Sequence, residues 1–537
     1  MLDKVLALKD SQTGGTLPEV TDGLGDSFVH VFREAMDRSP HALGDASKNE
    51  WVISLQLAYE QAVLANRWYM AWFFWMEALW ADAQIKKITA RDWHLILDHD
   101  QETIRHIGIW RRQKRIESFH PSRLLRGLVK VASTNRTVVC KWVGNRIVLS
   151  TRLIRSGEPS WAERIQGYAL LPQYLLSARL LDVELDLSGT SVNMRYAISY
   201  YSTLLSLFFE LEKVMPERHL ARDIHLRDAF CISTSNLINA IGELTEIPPY
   251  AVSALVTIST FSATPREILW GRPLVFAGVA DRFIFLPALK SSLLRTINHL
   301  IDLYAGDNGK KGVFFQEHCR DMLSMAARDG PLREISWISP RPVQTSVGDI
   351  DVCMIIGGVL VLAEVKYTGS PSDAYEYWNV DRRLDEGCDQ LRRKLQFVNG
   401  DRSSFLKALQ EKYGAPSLAS IGSNPIPLII ASDAYHAGFP LQEIAVSDLA
   451  ILSTFFDNQY VDAQLISNRE VIEHAVPIYG EPSEAARMLE TYLHRPEAIK
   501  RLLRKLAPRV LQYPTGVVTE DSEIIMTCET VEVSTSD

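Results

Sequence analysis

Apolar positions early in the chain recur at helical spacing. Val29, Phe32, Ala35 and Met36 make one such face, and Leu55, Ala58, Ala62 and Ala65 another. Stop and cap signals at Ser39-Pro40 and Thr89 bound these segments. The run 68–80 is apolar and aromatic but contains Glu77 and follows Arg67, and it is far short of the roughly 20 residues a membrane span needs. A buried aromatic helix is predicted there. Residues 136–153 alternate as a hairpin turned at Gly144-Asn145, and helical spacing returns over 160–262, with a core helix through 200–211. Strands are predicted at 273–277 and 282–286 around Gly278, and a helix from 288 to 304. The Gly-rich run GDNGKKG at 306–312 reads as a linker. Its Gly309-Lys310 lacks phosphate-loop spacing and follows no strand.

The pattern sharpens at residues 348–367, GDIDVCMIIGGVLVLAEVKY, where two runs rich in Val, Ile and Leu flank Gly357-Gly358. That is a hairpin signature. With the two glycines as the loop, Ile356 faces Val359, Asp351 faces Glu364 and Asp349 faces Lys366. Residues at i and i+2 share a strand face, so all four charges project from one side of one end. Opposed Cβ atoms lie about 4.5–5.5 Å apart. Two carboxylates that close repel unless a cation lies between them. A divalent metal such as Mg²⁺ fits, taking carboxylate oxygens while keeping water and phosphate. The plainer alternative is a solvated face with Asp349 paired to Lys366. Both strands are otherwise apolar on both faces, which favours a buried sheet with a site at one end.

The flanking pattern is α/β. An amphipathic helix over 313–327 carries Glu317, and the loop TGSPSDAYE leads into a charged helix at 379–398. Arg382, Arg383, Arg392, Arg393 and Lys394 on that helix offer local positive charge to a phosphate backbone. A solvated face with pairs such as Asp389 to Arg393 is the alternative. Strands at 427–431 and near 443–446, then a helix at 447–456, complete a mixed sheet. The segment 483–509 reads as a helix pair, with six Lys and Arg against one acid from 493 to 509. Residues 516–537 carry six acids and no Lys or Arg, and read as a flexible tail able to shield a basic surface.

Composition narrows the classes. At 537 residues, 47% apolar and 23% charged, the chain is globular and long enough for several domains. A net charge of −8 gives no global basic field, so nucleic acid would need a local patch. One candidate is the basic run WRRQKR at 110–115, whose alternative is a solvated helix face. Six scattered cysteines without CxxC argue against zinc or disulfide frameworks and suit a reducing cytosol. The N-terminus lacks a signal-peptide pattern, so the expectation is a soluble, cytoplasmic protein without a membrane partner. No GxSxG, HExxH or dinucleotide fingerprint occurs, and His94, His99 and His106 are spaced as surface residues.

The pattern G-(D/E)-x-D followed thirteen residues on by E-x-K in an apolar strand resembles the PD-(D/E)xK, restriction-endonuclease-like, nuclease superfamily in its resolvase-like and Mrr-like wording. The literal Pro is absent, and Asp349 stands where some branches carry Glu. The resemblance implies that Asp351 and Glu364 bind metal, with Glu317 and the Val365 carbonyl completing the shell. It implies that Lys366 orients or activates the attacking water and that Gln390 stands beside it. Mg²⁺, with Mn²⁺ able to substitute, and DNA are the implied cofactor and substrate, and a homodimer the implied assembly. The expected architecture is a mainly α-helical region over 1–262, a connecting hairpin and helix over 263–305, an α/β nuclease core with a mixed central sheet flanked by helices over 306–460, and C-terminal helices with an acidic tail over 461–537. A large helical region ahead of such a core looks like prokaryotic restriction or anti-phage proteins, where it senses or binds a partner protein. The alternatives are a repair or recombination nuclease, and a non-cleaving nucleic-acid- or protein-binding module.

Overall fold

The computed structural model describes residues 52–117, 135–165, 180–214, 223–225, 231–262, 271–276, 281–284, 293–305, 308–416, 424–466, 470–519 and 522–533, less 144, 145, 162 and 372. The predicted N-terminal leader and first helical face, and the turns at Gly144-Asn145 and Gly278, lie outside these residues. Among the described residues the fold mixes helices with several small sheets. None of these helices is long and apolar enough to cross a membrane.

Helices α1 (Leu55–Trp80) and α2 (His99–Glu117) flank a hairpin of Gln84–Lys87 and Asp92–Ile96. The aromatic run in α1 is only half interior, because Phe74 is buried whereas Trp75 and Leu79 face outward. Residues 136–304 then build a core of their own, centred on Trp161, Tyr200, Tyr201, Phe208, Leu237 and Leu255. The hairpin expected here forms, with Val143 opposite Arg146. This region holds more strand than the helical expectation for 1–262 allowed. Its short elements, such as Glu184–Leu187 paired with Thr190–Asn193, span too few residues to stand out against neighbouring helical spacing. Strand Cys231–Ser233 pairs with Asp281–Ile284, which pairs with Leu274–Phe276, so part of the expected connector is built into this region's own sheet.

Helix α3 (Asn308–Asp329) starts inside the Gly-rich run read as a linker. Each helical Gly disfavours the helix by about 1 kcal/mol relative to Ala. Burial of Phe315, Cys319 and Leu323 farther along α3 outweighs that. A five-stranded sheet follows, in the order β1 (Ser336–Ile338), β2 (Val352–Ile356), β3 (Val359–Lys366), β4 (Ile426–Ala431), β5 (Ala445–Asp448). The first three strands pair antiparallel and the last two join in parallel. Helix α4 (Ala374–Gly400) covers one face. Helices α3, α5 (Leu449–Phe456) and α6 (Pro482–His494) cover the other. Every residue of β2 is buried, as a strand covered on both faces requires.

The hairpin register follows the sequence pattern, with Ile356 opposite Val359 and Val352 opposite Ala363. Gly357 and Gly358 take φ of +55° and +83°, the left-handed backbone of a type I′ turn. A Cβ on Gly357 would stand 2.7 Å from Ala486 Cβ, so α6 also demands glycine there.

After α6 come α7 (Glu497–Arg504) and a long hairpin of β6 (Leu506–Thr519) and β7 (Ser522–Val533). The helix pair is therefore shorter than its charge pattern suggested, and β6 begins where its last turn was expected. The acidic stretch is no loose tail either. β7 is an interior strand, parallel to Asp92–Ile96, because its alternate Met526 and Cys528 pack inward on Phe74 and Leu95. Segments more than 300 residues apart in sequence thus share one sheet. Helix α2 also docks on the five-stranded unit, with Ile107 packing on Ile499 and Leu502. Arg111 donates to Asp448 at 2.7 Å and Arg112 to Asp433 at 2.9 Å. These two arginines of the 110–115 run are structural ion pairs rather than phosphate contacts.

Candidate active site

Charge on the hairpin gathers where β2 begins and β3 ends. Asp351 directly precedes β2, and the Val365 N–H donates to its Oδ2 at 2.8 Å. Glu364 lies on the α4 side of β3. Asp351 and Glu364 are only 6% and 5% exposed. Burial, and then the charge of Glu364, push the Asp351 carboxyl up to about 7, against the opposing Val365 N–H, Lys394 and Lys366. From the opposite face of the sheet, Arg320 of α3 donates to the Asp351 carbonyl at 3.1 Å and fixes the start of the strand.

Lys366 lies two residues beyond Glu364 on the same face. Its Nζ donates to Glu364 Oε1 at 2.9 Å and to Gln390 Oε1 at 2.6 Å. It is not paired with Asp349, which is exposed. Lys394 donates from Nζ to Glu364 Oε2. Residues 383, 387, 390 and 394 advance by four, three and four, so Arg383, Gly387, Gln390 and Lys394 form one stripe along α4. Gly387 opens that stripe for the site, since a Cβ there would stand 3.1 Å from Lys366 Cε and 3.2 Å from Ile429 Cδ1.

The loops beyond β3 and β4 close the end of the site. Ser432 N–H donates to the Lys366 carbonyl at 3.1 Å, and Thr368 N–H to Ser432 Oγ at 3.0 Å. Ser370 and Arg112 both hold Asp433, at 2.9 Å each. A helix from the far N-terminal segment therefore braces the loop that follows Lys366.

The six residues predicted for catalysis and metal binding divide. Asp351, Glu364, Lys366 and Gln390 converge. Val365 takes part through its N–H. Glu317 sits on α3, where its charge acts on Arg320. Among the described residues no three His, Cys, Asp or Glu side chains converge as a metal-holding group, so Glu317 does not join Asp351 and Glu364 in one. The donor set still fits a hard cation of the Mg²⁺ type, which takes one or two protein carboxylates and completes its shell with water and phosphate.

The five cations expected as one phosphate-binding surface divide. Lys394 is 5% exposed and faces inward, which overturns its place in that surface. An α-helix turns 3.6 residues per turn, and Lys394 falls on the sheet-facing stripe while its neighbour Arg393 does not. Arg382 is exposed over the Trp378 ring at 5.4 Å, and Arg383 is exposed and donates to the Tyr367 carbonyl at 3.2 Å. Arg392 and Arg393 are held by Asp389, through its carboxylate at 3.1 Å and its carbonyl at 3.4 Å respectively. The roles of Gly387 and Lys394 were missed, although their spacing from Gln390 signals them.

Compared with protein-family models, curated proteins and solved structures, the chain matches none.

Proposed function

We propose that this chain is a metal-dependent nuclease of the PD-(D/E)xK kind that hydrolyses phosphodiester bonds in DNA. The observation that carries the reading is the convergence of buried Asp351 and Glu364 with Lys366, itself held by Gln390. A bound Mg²⁺, or Mn²⁺ in its place, would supply Lewis acidity toward a phosphate and an acidified water. Asp351 and Glu364 would hold it. Lys366 presents its ammonium beside them, placed to orient a nucleophilic water and to stabilise negative charge developing on the phosphate. Gln390 fixes the direction of that ammonium. Exposed Arg382 and Arg383 near the start of α4 would meet the backbone of the nucleic acid.

The test is incubation with linear, circular and single-stranded DNA in Mg²⁺ or Mn²⁺, beside Asp351→Ala and Lys366→Ala. The parent should cut and the variants should not, with circular dichroism spectra unchanged. Variants that cut as fast as the parent would refute the mechanism. One observation favours a non-cleaving binding module instead, namely that lysines cover both oxygens of Glu364. That module would bind the same DNA without cutting it in either metal.

A further inference from the structure

A lysine ammonium removed from water is unfavourable by several kcal/mol unless a partner compensates. The Lys394 side chain is 6% exposed, and its partner is Glu364 Oε2. Lys366 holds the other oxygen of that carboxylate at 2.9 Å. Both oxygens of Glu364 are thus compensated by ammonium groups of the chain itself. Lys394 is also built in rather than merely available. Its Cε lies beside Gly348, where a Cβ would stand 3.9 Å away. The α4 stripe that carries Gln390 points it at Glu364.

We propose that Lys394 is the internal counter-ion of Glu364 and sets the affinity of the site for a divalent cation. It occupies Glu364 Oε2 while the site is metal-free, and a cation must displace it to use that oxygen. The inference rests on the metal-dependent reading above. It assigns Lys394 a positioning and gating role that the short hairpin motif does not contain.

The experiment is calorimetric titration of Mn²⁺ alone into the metal-stripped full chain, comparing the parent with Lys394→Met and Lys394→Gln. Removing the competing charge should tighten Mn²⁺ binding at least ten-fold in both variants. It should also enlarge the rise in melting temperature that Mn²⁺ produces. A lysine with a merely structural role would lower the metal-free melting temperature and leave Mn²⁺ affinity equal or weaker. That outcome overturns the role of Lys394 alone. If the parent binds no Mn²⁺, both this inference and the metal-dependent reading fall. Lys394→Gln keeps a hydrogen-bond donor toward Glu364, so it carries the test where Lys394→Met does not fold.

Discussion

Replacing Asp351 by Asn should flatten the pH dependence of stability in the metal-free protein. Burial and Glu364 raise the Asp351 carboxyl from 3.8 to about 7 in the folded chain. A folded-state pKa above the unfolded one means that the protonated acid favours folding. Its contribution is complete below about pH 4, falls as the unfolded carboxyl ionises first, and is lost once pH passes about 7. The whole swing is roughly 4 kcal/mol at about 1.4 kcal/mol per pH unit, and roughly 3 kcal/mol of it lies between pH 5 and 8. Asn is isosteric, and its side-chain carbonyl can still accept from the Val365 N–H. Urea unfolding of EDTA-treated parent and Asp351→Asn, at unit steps from pH 5 to 8, cancels every other titrating group. The parent should be increasingly disadvantaged toward pH 8. Parallel profiles for the two proteins would show that the site does not hold Asp351 near neutrality, and would refute the argument.

Two further outcomes follow from the packing. Gly387→Ala should cut DNA cleavage at least ten-fold by pushing Lys366 from Gln390, since the new Cβ would lie 3.1 Å from Lys366 Cε; the melting temperature should hardly fall, because Ala favours the helix by about 1 kcal/mol, and full activity would remove the claim that Gly387 makes room. Arg111→Ala should lower unfolding stability by roughly 3 kcal/mol, read from a denaturant midpoint, because it removes the guanidinium that compensates the 1% exposed Asp448 carboxylate; a loss under about 1 kcal/mol would show that the pair is solvated.

The hairpin was legible because its determinants are local. Two glycines fix the turn, and alternation fixes which charges face each other. The strands expected at 427–431 and near 443–446 and the helix at 447–456 were likewise visible, and they form at 426–431, 445–448 and 449–456. What stayed hidden depends on distant partners. Arg111 and Arg112 looked like a solvated basic face, since their acids lie over 320 residues away. The acidic stretch looked unstructured by composition, yet Met526 and Cys528 sit at alternating inward positions of β7 and only find their neighbours once Asp92–Ile96 is in place. Lys394 was grouped with neighbouring arginines by sequence proximity, whereas helix phase separates it from Arg393.

Those distant contacts change what the chain's divisions mean. Helices α1 and α2 and the β6–β7 hairpin pack together and onto the five-stranded unit, while residues 136–304 enclose a separate core. The 136–304 region is thus inserted into the unit that bears the candidate site. A cut near residue 305 would remove Arg112 from Asp433 and from the Pro371 carbonyl, which it also meets at 3.1 Å. It would also strip β7 of its parallel neighbour. The inserted region reaches the site through Tyr367, which directly follows Lys366 and packs against both cores. Residues 52–117 therefore act as part of the site-bearing unit, and the inserted core is the part positioned to influence the backbone that carries Lys366.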